Sequence, residues 1–358
     1  MTLRTALYEA HQELGATFTP FAGYDMPVHY GSIKEEHHAV RQHAGLFDVS
    51  HMSNLLLSGP GAAAALSAVC PFDAAALEVG RGKYTVVLRD DGTILDDAFC
   101  FRTGEESFEF IPNAGMNEAV ADHLTRHAPR GAGMFLLDDA SEHRAILAFQ
   151  GPAARDLLAT VIKEGELPRF HRATTCTVAG QECLVTGTGY TGEKGVELYL
   201  PATGARAVWD ALAGLEGVRP IGLGARDTLR LEKGYCLAGH EFEGGRTPLE
   251  AGLGFVVDWD QEFLGKAALQ AQRASRDHDR LVALTVARGV PRQGMDVVPT
   301  GGGDPVGTVT SGTMSPSLGH GIALAYVAAD APDELALQVR QKVVPAQRAK
   351  LPFVPSSS

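Results

Sequence analysis

The sequence predicts an α+β protein, and three observations support that class. Segments that alternate apolar and polar residues, such as 84–101, are typical of antiparallel strands joined by tight turns. Between them lie segments whose apolar residues recur every three or four positions, as in covering helices. From residue 279 onward the chain carries only short strand patterns between Gly, Pro and Asp turns. With 358 residues, 45% of them apolar, it is long enough for two or three domains.

Charge and cysteine spacing argue against several classes of protein. The formal charge is −12, from 31 Lys+Arg and 43 Asp+Glu, which leaves no broad basic surface for nucleic-acid phosphates. No apolar run reaches the ~20 residues of a membrane span and no signal-peptide block opens the chain. We therefore expect a soluble, cytoplasmic protein that binds neither nucleic acid nor membrane. The five cysteines never form a CxxC pair, which favours reduced thiols and no metal site.

In the first half of the chain the patterns predict three helices and three strands. Thr2 is the predicted N-cap of the first helix, and Asp91-Gly92 is the turn signal of a hairpin. The three histidines of the second helix lack the i, i+4 spacing of an HExxH zinc motif, so we expect capping or solvated side chains. The helices are predicted at 2–14, 34–43 and 115–127, and the strands at "YTVVL" (84–88), "TILDDAFCF" (93–101) and "SFEFIP" (107–112).

The second half continues the alternation and then becomes all-β. A buried strand stops at Gly151-Pro152, and Pro152 opens a helix that is predicted to continue through Ile162. Two more strands and helices follow before the character of the chain changes. The predicted elements are strands at "AILAFQ" (145–150) and "ECLVTGTGY" (182–190), helices at 204–213, within 222–235 and near 262–275, and the strands "LVALTV", "VGTVTSG", "IALAYV" and "LALQV" of a separate β-domain.

The run "TILDDAFCF" places two aspartates side by side in a strand without a solvent face. Because side chains alternate along a strand, Asp97 shares one face with Phe99 and Phe101, and Asp96 shares the other with Cys100. An unpartnered carboxylate at Asp97 would be disfavoured as an anion and its pKa would rise. Asp97 therefore has a structural partner, such as an arginine or a turn, or it has a ligand. A magnesium site is a weaker alternative, because the two side chains point apart.

Two further stretches combine glycines, aromatic residues and charges. In "GTGYTGEKGVE" (187–197) the glycines allow tight turns and close approach of a ligand before Glu197 enters a strand. The stretch lacks the GK[ST] of a phosphate loop and precedes a strand, unlike a dinucleotide fingerprint; a plain hairpin is the alternative. In "GLGARDTLRLEKGY" (222–235), Arg226 and Arg230 stand four residues apart on a predicted helix, where they could also be surface charges.

Taken together, these stretches resemble the aminomethyltransferase family, the folate-dependent T-proteins of the glycine cleavage system. The resemblance extends over nearly the whole chain in order and includes "FAGYDMPVHYGSIKEEHHAVRQHAGLFDVSHM" (21–52) and "GTVTSGTMSPSLGHGIALAYV" (307–327). It implies three domains around a central folate channel. These are a discontinuous ferredoxin-like domain (1–50 and 137–240), a second antiparallel α+β domain (51–136 and 241–278) and a C-terminal β-barrel (279–358).

The resemblance also implies an activity and a set of site residues. Such an enzyme takes the aminomethyl group from the lipoyl arm of H-protein, releases ammonia, and passes the carbon to tetrahydrofolate as 5,10-methylenetetrahydrofolate, without a metal. Asp97 matches the family's catalytic aspartate, with Asp96 as its structural neighbour, and Glu197 matches the carboxylate that accepts two pterin N–H groups. Positions that match folate-contacting residues of the family are Met52, Tyr84, Asn113, Tyr190, Arg226 and Tyr235.

Two departures and two rival functions remain open. The chain ends in "PFVPSSS" without the aromatic or basic residue that some relatives have there, and Phe101 stands where some have tyrosine; both bear on the contacts to the folate tail. A folate-dependent demethylase of the same architecture is one alternative function. A non-catalytic folate-binding repair or assembly paralogue is the other, although such proteins are expected to lose the aspartate that this chain keeps.

Overall fold

The structure is a computed structural model and describes residues 2–340 and 342–356. It confirms the predicted α+β class and the C-terminal β-barrel. The five cysteines are free thiols. No helix within the described ranges is both long and apolar enough to cross a membrane.

The helices and strands follow one another as the patterns predict over most of the chain. The helices are α1 (Tyr8–Glu13), α2 (Ile33–Gln42), α3 (Ala62–Val69), α4 (Asn117–His127), α5 (Ala154–Ala159), α6 (Ala205–Ala213), α7 (Leu223–Lys233) and α8 (Lys266–Ser275). The strands are β1 (Thr17–Phe21), β2 (Tyr24–His29), β3 (Ala44–Asp48), β4 (Leu55–Ser58), β5 (Gly82–Leu88), β6 (Ile94–Gly104), β7 (Ser107–Pro112), β8 (Leu136–Asp139), β9 (Arg144–Gln150), β10 (Ile162–Glu164), β11 (Ala173–Val178), β12 (Gln181–Thr186), β13 (Gly195–Pro201), β14 (Val218–Pro220), β15 (Arg280–Val286), β16 (Asp296–Pro299), β17 (Gly307–Met314), β18 (Gly321–Val327), β19 (Leu335–Val339) and β20 (Lys342–Ala349).

A seven-stranded sheet in the order β10-β11-β12-β13-β9-β3-β14 is covered on both faces. Along β13, Val196, Leu198 and Leu200 point into a core shared with α1, α5 and α6. Glu197 and Tyr199 alternate to the opposite face, where α2 and α7 pack. The charged residue of "VELYL" therefore faces α7 and not solvent.

A five-stranded sheet in the order β5-β6-β7-β4-β8 carries α3 and α4 on one face. Its other face contributes Phe99 and Phe101 to an apolar cluster that also contains Phe47 and Tyr199 of the seven-stranded sheet. This shared apolar cluster joins the two sheets, and we call the contact between them the seam. Asp96 and Asp97 lie beside it.

The barrel closes in the order β15-β18-β17-β16-β19-β20 around its own apolar core. The four predicted strands are present, and β16 and β20 complete the closure. Leu231 of α7 packs against Ala283, Ile322 and Leu324 of the barrel. One helix, α7, thus contacts both the seven-stranded sheet and the barrel.

The predicted first helix, 2–14, is wrong in its first two turns. Leu3 donates to the carbonyl of Gly23 (2.8 Å) and accepts from the N–H of Asp25 (2.9 Å), so its backbone pairs with the β1–β2 hairpin. The helix begins only at Tyr8. Because helix propensity is a weak preference, these tertiary hydrogen bonds override it.

The helix after Pro152 is also shorter than predicted, ending at Ala159. Ile162 instead begins β10 and pairs with Val178 of β11. The apolar residues of this segment still pack on the same core, since Val161 reaches it from a turn and Ile162 from a strand. Their periodicity correctly predicted burial but not conformation.

Candidate functional site

Asp97 is placed by the β5–β6 hairpin at the end of the five-stranded sheet. Gly92 forms its turn at φ +82°, a conformation that favours glycine, and Asp91 Oδ1 accepts from the N–H of Thr93 at 2.9 Å. Asp97 then lies opposite Val86 of β5. On the other side β7 ends at Pro112, which pairs with Ala98, so both aspartates extend beyond the end of β7.

Two side chains hold the carboxylate of Asp97. Tyr84 Oη donates to Asp97 Oδ2 at 2.7 Å, and Asn113 Nδ2 donates to Oδ1 at 2.6 Å. Burial raises the pKa of Asp97 and the charge of Glu241 adds to that effect, while the hydrogen bonds from Tyr84 and Asn113 oppose it. Asp97 is only partly buried, so this carboxylate is accessible to a ligand.

Asp96 is buried, at 1% exposure, and is bound to the same asparagine. Its Oδ2 accepts from the backbone N–H of Asn113 and its Oδ1 from Asn113 Nδ2, each at 2.8 Å. Burial and the charge of Asp97 raise the pKa of Asp96 to about 7. Strand alternation predicted that the side chains of Asp96 and Asp97 point to opposite faces of the sheet. Because Asn113 follows the last residue of β7 and turns across the strand end, its amide reaches both.

A wall of aromatic rings and one arginine faces these carboxylates. Tyr190 and Tyr235 stack with centroids 5.8 Å apart, and the guanidinium of Arg226 lies 4.7 Å from the Tyr190 ring. Tyr190 Oη donates to the carbonyl of Cys236. Burial raises the pKa of Tyr190, and the negative charge of Asp97 raises it further, so the wall lies within electrostatic range of Asp97.

Arg226 has no carboxylate within ion-pair distance in the described part of the chain. Burial lowers its pKa, while the charge of Glu197 acts to raise it, and an arginine stays protonated under such conditions. A partly buried cation without a salt bridge among the described residues is a candidate for binding a polar ligand. The neighbouring His51, 3% exposed, is kept neutral, because burial and the charge of Arg226 lower its pKa to about 3.

Glu197 is held by one of its two carboxylate oxygens. Thr188 Oγ1 donates to Glu197 Oε2 at 2.6 Å, and Tyr199 Oη lies 3.4 Å from the same atom. Glu197 Oε1 has no hydrogen-bond partner among the described residues. The carboxylate is therefore oriented by the protein and retains an oxygen that can accept from a ligand.

The structure thus brings all eight predicted site residues into one region at the seam between the sheets. Met52 takes part through the apolar cluster that contains Phe99 and Tyr199. The sequence analysis did not identify the neighbouring residues that orient or influence the predicted site residues. Tyr199 was within reach of such reasoning, because it stands two residues after Glu197 and therefore on the same strand face. No local pattern indicates Thr188 or Glu241.

This arrangement fits a flat, polar, organic ligand. The tyrosines offer ring faces, Glu197 offers an acceptor for neighbouring N–H groups, and Arg226 offers donors for a carbonyl or carboxylate. Asp97, at the far end of the wall, offers a carboxylate that can exchange a proton. The donor set matches what a reduced pterin would need.

Comparison with known proteins identifies the family. Residues 7–261 match the GCVT N-terminal domain, and residues 280–355 match the glycine cleavage T-protein C-terminal barrel domain. The chain belongs to the aminomethyltransferase family, the T-proteins of the glycine cleavage system. The second match begins at residue 280, which is also the first residue of the barrel.

Similar aminomethyltransferases are known from distant organisms. The probable aminomethyltransferase of Natronomonas pharaonis is 45% identical over 99% of each chain. The aminomethyltransferase of Thermus thermophilus is 43% identical over 98% of this chain and 99% of its own. The crystal structure of glycine cleavage system aminomethyltransferase T from Bartonella henselae superimposes with a TM-score of 0.92 at 34% identity, covering 99% of this chain and 98% of that one. The family's architecture is therefore that of this chain throughout its length.

Proposed function

We propose that this aminomethyltransferase acts on the aminomethyl group carried by the lipoyl arm of H-protein. It transfers the carbon to tetrahydrofolate, and the products are 5,10-methylenetetrahydrofolate, ammonia and dihydrolipoyl H-protein. The carbon–nitrogen and carbon–sulfur bonds of the carried group break, and two carbon–nitrogen bonds to the folate form. The reaction belongs to glycine catabolism and supplies one-carbon metabolism.

The observation that carries the proposal is the position of Asp97. It is a partly buried carboxylate whose pKa is raised by burial, held by Tyr84 and Asn113 and facing a wall of tyrosines. A non-catalytic folate-binding protein gives no comparable reason for a carboxylate held in this way. Groups with a perturbed pKa inside a ligand-sized site are candidates for acid–base catalysis.

The residues of the chain have separate roles in this proposal. Tetrahydrofolate, when bound, supplies the nitrogen nucleophile. Asp97 stabilises the positive charge that develops on the transferred group and moves protons at its carboxylate oxygens. Glu197 accepts N–H groups of the pterin ring, and Arg226 donates to a polar group of the same ligand. Tyr190 and Tyr235 bind the ring faces and exclude water.

The test is ammonia release from aminomethylated, lipoylated H-protein, measured with and without tetrahydrofolate. We expect release to be fast only with the folate, and one methylenetetrahydrofolate to form for each ammonia. Methylated sulfur and oxygen donors offered with tetrahydrofolate should give no methyl transfer. Folate binding without ammonia release would refute the proposal in favour of the non-catalytic alternative, and methyl transfer would favour the demethylase.

A further inference from the structure

Asn113 makes four hydrogen bonds besides its contacts with Asp97. Its backbone N–H and its Nδ2 both donate to the carboxylate of Asp96, each at 2.8 Å. Its backbone carbonyl accepts from Ser53 Oγ at 2.7 Å and from the backbone N–H of Met116 at 3.1 Å. The residue follows the end of β7, where no strand partner fixes its conformation. The side chain of Asp96 therefore supplies the constraint that the sheet no longer supplies.

The amide nitrogen of Asn113 connects the two carboxylates. An amide NH₂ has two hydrogens, and its nitrogen lies 2.8 Å from Asp96 Oδ1 and 2.6 Å from Asp97 Oδ1. The backbone carbonyl of Asp97 also accepts from this nitrogen, at 3.0 Å. A rotated amide would turn its oxygen toward these three acceptors and lose the bonds to them. Asp96 and the backbone of Asp97 thus together determine which way the amide of Asn113 faces, and this orientation holds Asp97 Oδ1.

We propose that Asp96 is a positioning residue that acts through Asn113 to fix the orientation of the Asp97 carboxylate. This role goes beyond that of a structural neighbour, which strand alternation suggested for it. The consequence for turnover rests on the proposed function. The orientation of Asn113 does not, and it can be measured without any substrate.

Asp96 and Asp97 are also linked by charge. Burial first, and then the charge of Asp97, raise the pKa of Asp96 to about 7. The hydrogen bond from Asn113 in turn lowers the pKa of Asp97. The other titratable groups that face Asp97 remain in place when Asp96 is replaced; they are Tyr84, Tyr190, Cys236 and Glu241. Losing the Asn113 hydrogen bond when Asp96 is replaced should therefore raise the pKa of Asp97 and move the acidic limb of turnover to higher pH.

The amide of Asn113 can be observed directly, because the chain contains three asparagines, Asn54, Asn113 and Asn117. Selective ¹⁵N-asparagine labelling gives one side-chain NMR signal pair for each. Asn54 donates to Glu109 at 2.7 Å and Asn117 to Asp139 at 2.5 Å, so both serve as internal references. In the wild type we expect both Asn113 protons to be shifted downfield and to exchange more slowly with water than those of the more exposed Asn117. Equal exchange would overturn the proposal without any variant.

Asp96→Asn tests the same claim by substitution, with Asn113→Ala used to assign the signals. An asparagine at position 96 has only one acceptor oxygen, so its amide nitrogen must face a donor of Asn113. The side-chain protons of Asn113 should then lose their protection from exchange with water, while those of Asn54 keep theirs. Turnover per folded molecule should fall at least about tenfold, and its acidic limb should move to higher pH. Ser53→Ala is the matched control: it removes a contact to the backbone of Asn113, and it should leave the amide signals and the pH profile unchanged.

The double variant Asp96→Asn/Asn113→Ala separates positioning from stability. If Asp96 acts through Asn113, the losses of turnover should not add, because the second change removes a group already misplaced. Additive losses, or a wild-type pH profile and protected Asn113 protons in Asp96→Asn, would overturn the proposal. If the wild type releases no ammonia, the proposed function fails, and the NMR results still decide the role of Asp96.

Discussion

At Glu197 one carboxylate oxygen is bound by the protein and the other is available. Thr188 holds Oε2 at 2.6 Å, while Oε1 has no partner in the described part of the chain. Glu197→Gln keeps the size and the contact to Thr188 but removes the charge that we propose accepts pterin N–H groups. We expect tetrahydrofolate affinity to fall by about 1.5–3 kcal/mol, which is roughly 10- to 150-fold, with little change in melting temperature.

Calorimetric titration of Glu197→Gln with tetrahydrofolate measures this effect. Glu182→Gln is the matched control, because Glu182 is an exposed glutamate on the adjacent strand β12. Its affinity should equal that of the wild type. If Glu197→Gln binds as tightly as this control, then Glu197 does not contact the pterin.

The site residues differ in how far the sequence could predict them. Asp97 stands out locally, because a charge in an apolar strand needs a partner. Glu197, Arg226 and the tyrosines depended on the family resemblance, since each also has an ordinary structural interpretation. The shared contact of Asp96 and Asp97 with Asn113 was beyond prediction. It depends on where β7 ends relative to β6, and strand ends are among the least certain features of a sequence-based prediction.

Among the secondary-structure elements, α2, α7 and the loop after β17 are joined by one buried carboxylate. Glu232 of α7 lies 2.9 Å from Arg41 and 3.1 Å from His37, both of α2. It also accepts from Ser315 Oγ at 2.6 Å and Ser317 Oγ at 2.9 Å. His37, which was expected to be solvated or capping, is therefore buried in an interface. The carboxylate of Glu232 thus connects the helices that cover the seven-stranded sheet with the barrel.

Glu232→Gln should therefore destabilise the protein. Removing one partner of a buried charged network typically costs about 3–5 kcal/mol. Glu35→Gln on the same helix α2 as His37 is the control, because the pair of Glu35 with Arg219 is exposed and contributes little. Urea unfolding at neutral pH should show a lower midpoint for Glu232→Gln alone. Equal midpoints would show that the network does not stabilise the fold.

The same carboxylate predicts a dependence of stability on pH. Burial alone would raise the pKa of Glu232, but the hydrogen bonds from His37 and Ser315 and the charge of Arg41 lower it to about 2. A depressed carboxyl pKa contributes stability above its unfolded value, near 4.3, and that stability is lost as the pH falls toward 2. Unfolding midpoints measured from pH 6 to pH 2 should fall less steeply in Glu232→Gln. An identical slope in both proteins would contradict this.

Most elements were predictable because local patterns and tertiary contacts agree, as in the β5–β6 hairpin with its Asp91-Gly92 turn. The exceptions have a common cause. Leu3 and Ile162 carry helix-compatible patterns, but their backbones pair with strands that are distant in sequence or follow a turn. The side chain of Ile162 packs against the core from a strand as it would from a helix, and Leu3 is 48% exposed, so apolar periodicity does not discriminate between the two conformations.

For the whole molecule, the charge is unevenly distributed. The net charge is −12, yet Arg81, Arg169 and Arg172 surround Phe170, which is 77% exposed. Phe170 stacks on His171, whose ring contacts Phe99 at the seam. This basic and aromatic patch lies on the loop that borders the site. Within it, Arg172 forms an ion pair with Glu78 at 2.8 Å. We propose this patch as the docking surface for H-protein.

We expect the affinity for lipoylated H-protein to fall as salt rises from low to physiological ionic strength, because salt screens exposed charges over about 10 Å. Arg169→Gln should weaken binding at low salt and reduce this dependence. Binding titrations at several ionic strengths measure both effects. Affinity that is indifferent to salt would show that charge does not guide the docking of H-protein.

The most direct test of the account is the rate of ammonia release by Asp97→Asn at saturating tetrahydrofolate and H-protein. Asparagine keeps the size and one acceptor oxygen of the aspartate but removes its charge and its ability to accept a proton. Folded fraction and folate affinity should change little, while turnover per folded molecule should fall by roughly 10²- to 10⁴-fold. A near-wild-type rate for a folded, folate-saturated Asp97→Asn would contradict the assignment of Asp97 as the catalytic carboxylate.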